Sequence, residues 1–245
     1  MVNIDTVYQR VLAIANKEQR GYITPQEFNL FANQAQMEIF EQYFYDLNQQ
    51  TRIPGNDSVH ADFDDMLEEK LQVFENIDEA ATILSYATSG TGFVLPDYIY
   101  RVSKIEFNNG TTTADCDILK TKDFSDSING GPLTRPNNTR PIANIRNNII
   151  NVIGGTTFNP TTPITPTSLI YFKKPSQVGW GYYVVGLKAL YDSTSPATLH
   201  FELHPSDETE LVYKVLKLAG VSLKSADLAS SAQNMENTQI QQEKQ

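Results

Sequence analysis

The 245-residue sequence has one cysteine, Cys116, one tryptophan, Trp180, and three histidines. A lone cysteine excludes an intrachain disulfide and leaves the redox compartment open. No apolar run approaches the length needed to cross a bilayer. The opening MVNIDTVYQR has neither the charged nor the apolar region of a secretory signal. Basic residues are in deficit, with 19 Lys and Arg against 29 Asp and Glu, a formal net charge of -10. No global field therefore draws the chain to nucleic acid or anionic lipid, and neither is expected as a partner. No G-x-G-x-x-G, P-loop or G-x-S-x-G motif occurs. Nothing points to an enzyme, and no cofactor or metal is expected.

The best-marked stretch runs from Ile23 to Gln50. Thr24 suits an N-cap, Pro25 the first helical position, and Glu27, three residues on, closes a capping box. Ile23 and Phe28 occupy the positions of a hydrophobic staple. Two apolar stripes follow at helical spacing: Phe28, Phe31, Ala35, Ile39 and Tyr43, then Leu30, Met37, Phe40, Phe44 and Leu47. A surface helix of a monomer shows one such stripe. Two stripes mean cover on two sides, from the chain itself or from a neighbouring copy. Phe28, Phe31, Ile39, Phe40, Tyr43 and Phe44 are the candidates for core or oligomer contact.

Around this helix the periodicity gives a helix over 3–18, then an acidic helix through HADFDDMLEEKLQVFENIDEA. From Ala81 the period shortens. YIYRVSKIEF and ADCDILKTK read as a hairpin, IANIR and IINVI as strands meeting at Asn147-Asn148, and SLIYFKKP and ATLHFEL as further strands. Ser206 starts another helix, which Gly220 is expected to interrupt, and the last dozen residues are polar and not expected to hold order alone. The fold class is α+β: a helical bundle of N- and C-terminal helices with an inserted antiparallel β-rich domain, a sandwich or small barrel. Residues 1–80 form the first helical part and 81–203 the β-rich domain. Residues 204–245 are a C-terminal helix and tail that pack with the N-terminal part.

Three constellations invite chemistry. HFELH brackets Glu202 with His200 and His204, but it is not H-E-x-x-H and reads as a strand with no third ligand. Cys116 lies between Asp115 and Asp117, whose charge opposes a thiolate. Nine carboxylates fall between Asp57 and Glu79 against one base, Lys70. They lack EF-hand spacing and read as a solvated acidic face.

Three segments, GYITPQEFNLFANQAQMEIFEQYFYDLNQ, LIYFKKPSQVGWGY and FELHPSDETELVYKVLKLAGVSLK, resemble ring or connector proteins of crAss-like, short-tailed bacteriophages. The resemblance covers about a third of the chain and carries no catalytic motif. It implies a non-enzymatic virion protein of the head–tail neck, assembled in the host bacterial cytoplasm. Its partners would be further copies in a ring, often twelvefold, the portal protein and adjacent neck rings, with genomic DNA passing through unread. On that reading the acidic run would line the lumen, with Asp64, Asp65, Glu68 and Glu69 as candidates, because a negative wall does not hold DNA. Two rivals stand beside it. One is a tail-associated glycan- or receptor-binding protein, motivated by the tyrosines and Trp180 of the β-rich middle. The other is a virion hydrolase using the carboxylate run.

Overall fold

The computed structural model describes residues 1–17, 23–50, 58–87, 92–108, 113–131, 133, 135–154, 164–222 and 226–243. For some of these, chiefly 58–64, 221–222 and 226–229, it describes the backbone alone. The chain is α+β and divides into two compact units: Met1–Val73 with Pro175–Gln245, and Phe74–Lys174. The inserted unit is thus shorter at its C-terminal end than the sequence boundary at 203, and residues 175–203 belong to the helical unit.

The helical unit opens with α1 (Ile4–Lys17), α2 (Pro25–Gln50) and α3 (Ser58–Gln72). The capping box at the start of α2 is closed in both directions. Glu27 Oε2 accepts from the Thr24 backbone N at 3.0 Å and from Thr24 Oγ1 at 2.7 Å, while Glu27 N donates to Thr24 Oγ1 at 3.3 Å. Those bonds hold the Glu27 carboxyl below its ordinary range, chiefly through the Thr24 hydroxyl. Ile23 and Phe28 are both buried, as a staple requires. The unit resumes after the β-rich insertion with an irregular segment and a hairpin, β10 (Tyr182–Val185) and β11 (Lys188–Tyr191). A 3-10 turn over Pro205–Asp207 then leads into α6 (Glu208–Ser222) and α7 (Ala226–Glu243). The α6 helix packs on α1, α2 and α7. Its apolar face of Leu211, Val212, Val215, Leu216 and Ala219 is buried.

The β-rich unit holds β1 (Glu75–Glu79), a helical turn α4 (Ala80–Ile83), β2 (Ser85–Tyr86), β3 (Phe93–Val94), β4 (Ile99–Asn108), β5 (Thr113–Asp115) and β6 (Asp117–Ile118). Helix α5 (Thr121–Asn129), β7 (Ile142–Arg146), β8 (Ile149–Ile153) and β9 (Ser168–Lys173) complete it. One sheet has the order β1-β9-β4-β5 and the other β2-β3-β8-β7-β6. Among the described residues neither sheet closes on itself into a barrel. One apolar cluster joins Ile105, Leu169 and Tyr171 of the first sheet to Ala143, Ile150 and Val152 of the second. The chain crosses between the sheets at Cys116, whose N bonds Ile105 O at 2.8 Å while Asp117 N bonds Pro141 O at 3.1 Å. Burial first, then Asp115 and Asp117, pushes the Cys116 thiol up to about 12.

Four expectations are corrected. The acidic helix stops at Gln72, and Glu75–Glu79 is an edge strand paired with β9. There Glu75, Ile77 and Glu79 are exposed, and charge on an edge strand discourages further pairing. ATLHFEL is not a strand. It makes only the single bridges Gly179–Leu199 and Val2–Phe201, because Phe201 and Leu203 are buried against the helical unit instead of in a sheet. Gly220 is buried within α6, which runs on to Ser222. The polar tail is helical to Glu243, held on α6 by Glu236.

Candidate functional site

The apolar stripes of α2 resolve first. Phe28, Ile39, Phe40, Tyr43 and Phe44 are buried in the chain's own helical core, and Phe31 is half-buried. Phe40 and Phe44 meet edge to face at 5.1 Å, and Phe28 meets Tyr8 of α1 at 4.7 Å. Burying a side chain of this size contributes ~1.5–3 kcal/mol, so these residues are occupied in stabilising the single chain. Among the large apolar residues of α2 Leu30, 71% exposed, and Tyr45 face solvent, while Met37 and Leu47, like Phe31, are half-buried.

Between the stripes runs a ladder of amides that hydropathy does not register. Asn33 Nδ2 donates to Val178 O and its Oδ1 accepts from Val178 N, both at 2.9 Å. Asn29 Oδ1 accepts from Trp180 N at 2.8 Å, and Gln36 bonds Ser176 O at 2.8 Å and Glu202 N at 3.2 Å. The spacing 29, 33, 36 puts all three on one helical face, where they pair an extended segment as a strand would. Amides at that spacing between two apolar stripes are the sequence signal for such a clamp.

The clamp fixes Trp180, which is 3% exposed. Its indole Nε1 donates to Asp5 Oδ1 at 2.9 Å, and its ring lies 4.4 Å from Tyr8 and stacks with Tyr182 and Tyr191 at 5.8 Å each. This aromatic base anchors the hairpin. Gly181 permits the close approach, since a Cβ there would lie 2.2 Å from Thr198 Oγ1. Beyond the base the hairpin is bare. Tyr183 is 50% exposed, Val184 63%, Val185 57%, Leu187 102% and Leu190 42%. Gly186, with φ +65°, turns the tip, as a two-residue hairpin loop needs at its first position. Lys188 is the one charged residue from Tyr182 to Tyr191.

The carboxylates divide by depth. Asp65, Glu68 and Glu69 are exposed on α3, and the Asp64 side chain lies outside the described residues. Glu69 Oε1 stands 3.9 Å from His204 Nε2. Asp207, by contrast, is fully buried. It pairs with Lys70 Nζ at 2.9 Å and accepts from Tyr43 OH at 2.5 Å, and Lys70 lies over the Tyr43 ring at 5.8 Å. A second buried set joins α6 to α7: Lys214 Nζ reaches Glu236 at 2.7 Å and Glu210 at 3.5 Å, and Lys217 reaches Glu236 at 3.3 Å. Burial works against both charges, but the mutual bond prevails, raising Lys214 and lowering Glu236.

The histidines of HFELH take separate backbone roles. His200 Nδ1 accepts from Ile4 N at 3.4 Å, and His204 accepts from Ser206 N at 3.3 Å to cap the turn before α6. Among the described residues no group of three or more His, Cys, Asp or Glu is placed to hold a metal ion. Among them, too, no helix is long and apolar enough to cross a membrane. An open groove of about 600 Å³ lies between α6 and α7, lined by Thr209, Tyr213, Ser231, Asn234, Met235 and Thr238 among others. No protein-family model matches the chain, and no curated protein matches it.

Proposed function

We propose that this chain is a non-enzymatic virion structural protein, a ring-forming connector subunit of the head–tail neck of a short-tailed bacteriophage. The observation that carries the reading is the hairpin. Five large apolar side chains stand bare on a subunit whose core aromatics are otherwise well buried. The bare surface totals on the order of 500 Å² over the whole hairpin, with Tyr183, Val185 and Leu190 on one face, Val184 on the other and Leu187 at the tip, and apolar surface exposed on this scale marks a contact site. An acidic subunit also suits a channel, because DNA adheres through counterion release to positive charge. On this reading Asp65, Glu68 and Glu69, exposed on α3, are placed towards the lumen.

The glycan- or receptor-binding alternative draws on the tyrosines of the β-rich middle, of which Tyr98, Tyr100 and Tyr183 are exposed, and on Trp180. That ring is enclosed by Tyr8, Tyr182 and Tyr191, which leaves no free face for a sugar to stack on. Negative-stain images of the chain mixed with portal protein test the proposal. Rings stacked on the portal are expected; unchanged portal particles together with selective binding on a glycan array would replace the connector with the binding module.

A further inference from the structure

The hairpin needs a partner surface, and charge narrows the choice. A subunit of net charge -10 repels its own copies except where carboxylates are missing. The hairpin from Tyr182 to Tyr191 carries none. Among the described residues, those lining the groove between α6 and α7 are likewise uncharged, with Met235 53% exposed. A flexible thioether beside a hydroxyl- and amide-lined wall accepts an aliphatic tip without demanding one fixed shape.

The two surfaces belong to the same helical unit but to separate parts of it. Trp180, at the hairpin base, is bonded to Asn29, whereas Asp207, at the start of α6, is bonded to Tyr43. Those residues are 14 positions apart on α2, or ~21 Å along the helix axis. A patch and a receptor at different places on one subunit make a heterologous contact, which repeats head to tail and closes into a ring when the rotation permits. We infer that the β10–β11 hairpin of one copy docks, Leu187 first, into the α6–α7 groove of the next. This rests on the ring-forming reading above and supplies its contact. The bare hairpin surface, on the order of 500 Å², covers much of the ~800 Å² per partner of a standard interface.

The test uses the full-length chain carrying Leu187→Cys and Met235→Cys together, treated with a short bismaleimide in the sample that holds the wild-type ring, alone or with portal. Cys116 is buried with a strongly raised thiol, so it is a quiet background. A ladder of covalent oligomers is expected from the double variant, and dimers alone from a mixture of the two single variants. In parallel, Leu187→Asp should weaken association by about tenfold or more, since a charge replaces a buried aliphatic group. Wild-type rings with no ladder, and unweakened assembly of Leu187→Asp, would overturn the docking and leave the connector reading standing. A Leu187→Cys single variant that links to itself would overturn it in favour of hairpin-to-hairpin pairing. A wild-type chain monomeric in both samples would overturn the connector reading, and the docking with it.

Discussion

Replacing Lys70 with Met should unfold this protein more readily than any surface change of similar size. Lys70 Nζ lies 2.9 Å from Asp207, and the two side chains are 7% and 0% exposed. At an effective dielectric of 20 that separation corresponds to an attraction of about 6 kcal/mol before the cost of desolvating both charges. Removing one partner strands the other in a buried site, which typically costs ~3–5 kcal/mol. The assay is urea unfolding followed by far-UV circular dichroism at pH 7, with Lys70→Met alone and combined with Asp207→Asn. The single variant should lose ~3–5 kcal/mol and the double variant distinctly less, because the stranded charge is gone. Tyr43→Phe removes only the hydroxyl that donates to Asp207 and should cost ~1.5–3 kcal/mol. A loss below about 1 kcal/mol for Lys70→Met would refute the view that this pair ties α3 to the start of α6.

Three further outcomes are expected. Asn33→Ala breaks both bonds to Val178 and leaves a backbone N–H and C=O without their partner, so it should cost ~2–4 kcal/mol by the same unfolding assay. The lowered carboxyl of Glu236 contributes stability that is present above its ordinary value of 4.5 and lost as pH falls through its folded value; Glu236→Gln should flatten that part of an acid stability profile. Cys116, buried and pushed up to about 12, should resist a thiol reagent at pH 8 in the folded chain and react stoichiometrically after unfolding in urea.

What was legible in the sequence was local and strongly signalled. The Thr24–Glu27 box fixed the start of α2 because its chemistry needs only four consecutive residues. Asn147 and Asn148, with φ of 52° and 58°, made the β7–β8 turn readable because few other residues tolerate that backbone. What was missed depended on distant partners. Glu75–Glu79 reads as the end of the helical period that precedes it, and only pairing with β9 makes it a strand. ATLHFEL alternates like a strand, yet its bonding neighbours are Gly179 and Val2. The amides Asn29, Asn33 and Gln36 share a helical face, but nothing local names the backbone segment they hold, 140 or more residues away along the chain. The same limit governed the two stripes of α2. Spacing shows that both sides are covered, but the identity of the cover, here the chain's own helical core, is a tertiary fact.

The connector proposal is tested most directly by native mass, measured by light scattering on the purified chain with and without portal protein. The account expects a discrete closed assembly, near 330 kDa for twelve copies of the 27.5 kDa chain, either alone or once portal is added. A monomer that stays at 27.5 kDa and ignores the portal would contradict it.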